Sequence, residues 1–159
     1  MRYLKIALIA FVGLWGILGG IGNLGGYDVG YQSVAGVLAR NDTMGPTGPF
    51  VAFSNPAFIH LGLAAIWLGK LVCGALCFWG AGQMWSKRNA SADVFNAAKT
   101  MGLLGCGVAM LMLFGAFVTI GGVYFFMWQS EAGQLSQQFA MGYIASIGMV
   151  ALFVNMADA

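Results

Sequence analysis

Hydrophobic residues fall in four long blocks, at about residues 4–22, 57–85, 101–128 and 139–156, with the polar residues gathered between them. Within each block the apolar positions are continuous. Membrane-barrel strands alternate instead, so a barrel is excluded. A helix rises about 1.5 Å per residue, so about 20 residues cover the hydrocarbon of a bilayer. Each block is long enough to cross as a helix. Trp85 and Trp128 close the second and third blocks, where indoles favour the water–lipid boundary. Arg2 and Lys5 precede the first block in the manner of a signal peptide. The block is longer than a signal core, and Asn23-Leu24-Gly25-Gly26-Tyr27 has no small-x-small cleavage pattern, which predicts an uncleaved first helix.

The polar stretch 23–56 contains all three prolines, Pro46, Pro49 and Pro56. Within it, Asp28 is a candidate cap for a short helix over 29–40, with Val34, Val37 and Leu38 on its apolar side. Such a helix is expected to lie along the membrane face. Residues 41–55 are turn-rich and read as irregular.

Composition turns this pattern into a fold class. Of 159 residues, 60% are hydrophobic and 8% are charged, against roughly 25% charged in soluble domains. So few charges do not cover a soluble surface, and the outside of the fold must meet lipid. The expectation is an all-α, integral membrane four-helix bundle forming a single domain. Arg2, Lys5, Lys87, Arg88 and Lys99 flank the chain start or lie in the loop 86–100, whereas the loop 23–56 has only Arg40. The positive-inside rule therefore predicts cytoplasmic N- and C-termini, a cytoplasmic loop 86–100 and a long extracytoplasmic loop 23–56. The net charge is only +2. No basic stripe or nucleic-acid motif occurs, so nucleic acid is not an expected partner.

Between helices in lipid the hydrophobic drive is lost, and small residues allow backbones to approach. Gly16 and Gly20 provide such a face on the first helix. Gly69, Cys73, Cys77 and Ala81 form a stripe on the second, and Gly121-Gly122 lies in the third. Gly102 and Cys106 continue the pattern on the third, and Gly142 with Ser146 on the fourth. The cysteines, Cys73, Cys77 and Cys106, are odd in number and sit in apolar blocks, which argues for packing and against a disulfide framework.

Lys70 is the most informative single residue. It lies 13 residues from Ala57 and 12 from Gly82, about 15 Å or more from either boundary. A charge there costs about 2.5–3.5 kcal/mol to insert, which the Leu, Ile, Val and Phe residues of the same block offset. An intramembrane lysine needs a carboxylate, a group of carbonyls or water. No carboxylate lies in the other three blocks, and Thr119 and Asn155 are the polar candidates. Three readings follow: a neutral or carbonyl-bound amine, a partner for an acid on another protein, or a site for a transported ion. His60 is the only histidine, too little for a haem or copper centre. The methionines are scattered and read as packing. No catalytic triad, HExxH, Walker loop or dinucleotide motif occurs. Neither enzyme activity, cofactor nor metal is expected.

Phe95-Asn96-Ala97-Ala98-Lys99, entering the third helix, resembles a bacterial family described as "predicted small integral membrane protein", a domain of unknown function. Ile120-Gly121-Gly122 with Met127-Trp128-Gln129-Ser130, and Val37-Leu38 followed by Asp42-Thr43, are similar to the same family in the same order. The resemblance implies four helices and a membrane location, without an activity. It also implies a glutamate at the positions held here by Lys70 and Val123, so this chain has lost two acids and gained a base. The leading functional expectation is a non-catalytic accessory subunit of a larger inner-membrane complex, such as a respiratory, photosynthetic or other oxidoreductase assembly. The alternative is a small transporter or channel in which Lys70 is an anion or proton site.

Overall fold

The computed structural model describes residues 1–40 and 51–158. Among them are four helices long and apolar enough to cross a membrane, and no strand. The first is α1 (Arg2–Gly25), and α3 (Pro56–Ser86) is the second. The third is α5 (Thr100–Met112), continued by a π-helical segment, Leu113–Tyr124. The fourth is α6 (Glu131–Asn155). Two short helices, α2 (Tyr27–Ala39) and α4 (Ala92–Ala97), lie between them.

Local chemistry sets the ends. At α3, the Asn55 side chain accepts from the Ala57 amide at 2.9 Å and Pro56 occupies the first turn, where its missing N–H costs nothing. At α6, Ser130 Oγ accepts from the Gly133 amide at 3.0 Å, and Glu131 sits in the first turn. This cap starts the helix well before the apolar block that begins near residue 139. α1 runs beyond its apolar block through Asn23, and only Gly26 separates it from α2. Asp28 therefore does not cap α2. It lies inside the first turn, where its charge complements the helix dipole. Arg40 ends α2 with φ 58°, a left-handed cap. Most of the expected irregular stretch, with Pro46 and Pro49, lies outside the described residues.

The third block departs most from a plain helix. The Phe125 amide donates to the Ile120 carbonyl, five residues back, at 3.0 Å, which is the π pattern. Gly115, Gly121 and Gly122 weaken the local preference for α geometry. Gln137 of α6 donates to the Phe117 carbonyl at 3.1 Å and ties the widened turns to the bundle. The helix stops at Tyr124, Phe126 takes φ 55°, and Met127–Gln129 forms a 3₁₀ turn that carries Trp128.

α3 packs between α1 and α5, and α6 closes the bundle against α5, the π segment and, more lightly, α1. The first two contacts are backbone-close. A Cβ on Gly16 would stand 2.6 Å from the Lys70 carbonyl oxygen, and one on Gly80 would collide with the Gly102 backbone. Cys73, Cys77 and Cys106 are free and fully buried there, with Cys77 Sγ 3.6 Å from the Gly102 carbonyl. Large apolar side chains are exposed on every long helix, among them Phe11, Leu61, Leu111 and Leu152. That arrangement suits lipid and would be a liability in water.

Candidate functional site

Beside Lys70 the helices part. A cavity of about 820 Å³ opens between α2, α3, the π segment and the start of α6. Its depth follows from α3: Gly62 and Lys70 both line it, and eight residues of helix rise roughly 12 Å. Leu63, Ile66, Phe117 and Ile120 provide apolar wall. The wall bends around this space because α2 turns back over α3. Gly30 lies against Leu63, and Gly62 against Val34. At the edge of α2, Tyr27 Oη and His60 Nδ1 are hydrogen-bonded at 2.7 Å, and the Tyr31 ring lies 4.9 Å from the imidazole. His60 thus helps to hold α2 on α3.

Lys70 is half-buried, its stem lying along Gly19, where a Cβ would stand 3.2 Å from Cδ. The ammonium donates to the Asn23 side chain at 3.4 Å and lies 6.0 Å from the Trp15 ring centre. Neither Thr119 nor Asn155 is its partner. Thr119 lines a separate shallow apolar hollow with Phe53 and Tyr124, and Asn155 ends α6. Hydropathy hides Asn23, because the apolar pattern of the first block stops at residue 22, whereas the helix runs on and delivers the amide to Lys70. Arg40 also lines the cavity, its guanidinium 5.0 Å from the Phe126 ring centre. Among the described lining residues there is no carboxylate.

The small residues divide between packing and the cavity. Gly20 faces Leu71, Gly69 faces Met112, and Cys77 lies against Gly105. Ala81 is buried in the core. Gly121 faces Met127 and lines the cavity, while Gly122 abuts the Gln137 amide. The cysteines gather in the α3–α5 contact without reaching the cavity. Among the described residues no group of three or more His, Cys, Asp or Glu side chains could hold a metal.

A second polar constellation sits at the other end of the bundle. Lys5 and Lys99 are buried, and both pair with the Asp158 carboxylate, at 2.8 and 2.5 Å. Lys99 also donates to Asn96 Oδ1 at 2.7 Å, which in turn accepts from the Asp158 amide at 3.1 Å. Burial pushes the Asp158 carboxyl up, but Lys5 and Lys99 outweigh it and hold the group below its usual value. Arg2 lies 4.8 Å over the Phe95 ring and donates to the Arg88 and Ala90 carbonyls. Lys5 and Lys99 read in sequence as flanking charges. Asp158, which makes them internal, belongs to no motif. The segment Phe95-Asn96-Ala97-Ala98-Lys99 is the available signal, since three of its side chains build this cluster.

These contacts bring residues 2–5, 88–99 and 156–158 to one end of the bundle. Four apolar crossings with lipid-compatible exteriors define a four-helix integral membrane protein. Residues 1–157 match the family described as "Predicted small integral membrane protein", a domain of unknown function, and the chain belongs to that family. No curated protein and no solved structure matches it.

Proposed function

We propose that this chain is a small non-catalytic transporter or channel of the bacterial inner membrane, with Lys70 as its anion site. The observation that carries the reading is the Lys70 ammonium at the floor of a cavity of about 820 Å³ with no carboxylate among its described lining residues. An ammonium inside a membrane is stabilised by an opposite charge, and the cavity leaves room for one to come and go. The ends follow the positive-inside rule: residues 2–5 and 87–99 carry five of the seven basic residues, so that end, with both termini, faces the cytoplasm.

Proteoliposomes test this reading. Lys70→Met should abolish anion flux while leaving the protein folded and inserted. Equal flux from the wild type and the variant would remove Lys70 from the pathway.

One observation favours a second reading, the accessory subunit of a larger oxidoreductase or other membrane assembly. A Cβ on Gly107, Gly115 or Gly142 would meet nothing within 4 Å. Gly107 and Gly142 are exposed and Gly115 is half-buried, and small residues so placed suit a close-packed helix from another subunit. Under this reading Lys70→Met or Gly142→Leu should release a partner that otherwise co-purifies in mild detergent. A lone monodisperse species under every condition would count against it.

A further inference from the structure

We infer that the ligand of the Lys70 cavity is a single-chain amphiphile with a carboxylate head, seated acid-first. The inference rests on the reading of Lys70 as an anion site and specifies what the anion is. Volume is the first argument. About 820 Å³ falls in the range of about 300–1,000 Å³ usual for a site that holds one small organic ligand, room enough for a single alkyl chain.

Wall chemistry is the second. Above Lys70 the cavity is bounded by Leu63, Ile66, Phe117, Ile120 and Phe125. A small hydrated anion would lose water against these side chains and gain nothing from them. An alkyl chain gains from each of them.

Charge placement decides the direction. With the alkyl end down, the Lys70 ammonium would be stripped of water and left with the Asn23 amide, 3.4 Å away, as its polar contact. With the carboxylate down, the same ammonium has a counter-charge and Asn23 completes the site. The chain then runs along α3 toward Gly62, past the π segment. Serines at the start of α6, Ser130 and Ser136, line the cavity too, and leave the upper part tolerant of water or a polar tail group.

Trp15, 6.0 Å from the Lys70 ammonium, reports the geometry. In phosphatidylcholine nanodiscs, 2-bromohexadecanoate should quench tryptophan fluorescence saturably, and Trp15→Phe should remove most of that component. The 16-bromo isomer should quench Trp15 less, and the methyl ester of the 2-bromo acid should show no saturable phase. A hydrogen bond to a charged group is worth about a decade or more of affinity. Lys70→Met and Lys70→Gln should therefore each weaken binding about tenfold or more, and Lys70→Arg should retain most of it. Stronger quenching by the 16-bromo isomer would overturn the acid-first orientation. Lys70-dependent thiocyanate flux without saturable binding of the long-chain acid would overturn the amphiphile and leave the anion site standing. If neither ligand depends on Lys70, both readings fall together.

Discussion

At the end of the bundle that gathers residues 2–5 and 156–158, two buried lysines share one carboxylate. Nearer α2, Lys70 has an amide and a cavity. Both places put ammonium groups inside a largely apolar protein, yet the surroundings differ in kind. Lys5 and Lys99 are 3% and 2% exposed and their donors are committed to Asp158, Met156 and Asn96. Such a charge is structural: its partners are fixed, and nothing can enter. Lys70 is half-buried with one long hydrogen bond. A buried cation with an internal counter-ion stabilises a fold, whereas one facing unfilled space is available for a ligand.

The contrast breaks most directly at Asp158. Asp158→Asn leaves two buried ammonium groups without a counter-charge, and losing one member of a buried pair costs about 3–5 kcal/mol. Thermal unfolding in mild detergent should show a deeper fall for this substitution than for Gly80→Ala or Lys70→Met. An unchanged midpoint would mean that the cluster contributes nothing.

Acid should reproduce part of this loss. The folded protein holds the Asp158 carboxyl below its ordinary value, 3.8, so folding favours the carboxylate. The stabilisation is complete above that ordinary value. It declines as the pH falls beneath it, and is gone once the pH passes below the folded value. Unfolding midpoints measured downward from pH 5 should fall more in the wild type than in Asp158→Asn.

Helix contact is the next lever. Gly80→Ala places a methyl group into the Gly102 backbone, and overpacking of this kind costs about 1–3 kcal/mol. It should lower the unfolding midpoint without altering the ligand binding proposed for Lys70. The smallest effect sharpens the comparison from the other side. Lys70→Met removes a charge with no carboxylate beside it among the described residues, so stability should change by no more than about 0.5 kcal/mol or rise slightly. A fall as deep as that of Asp158→Asn would make Lys70 a structural charge as well.

Much of the architecture is legible in the residues, because four apolar blocks of spanning length leave few alternatives. Lys70 is legible for the same reason: one charge in such a block stands out. Its partner is not, since Asn23 belongs to the helix by hydrogen bonding and to the loop by hydropathy. The Lys5–Lys99–Asp158 cluster joins residues far apart in the chain, and no local period encodes it. The π geometry of Leu113–Tyr124 also lacks a sequence signature of its own. Its glycines hint at weakness, but the Gln137 tie that holds it comes from another helix.

The sealing of Lys5 and Lys99 bears on how the sidedness of this protein can be mapped. A membrane-impermeant amine reagent would find Lys87 exposed at that end, while the other two lysines there are shielded in their ion pairs. Their silence toward such a reagent would report shielding rather than a location across the bilayer, so Lys87 is the lysine whose modification reads out which compartment that end occupies.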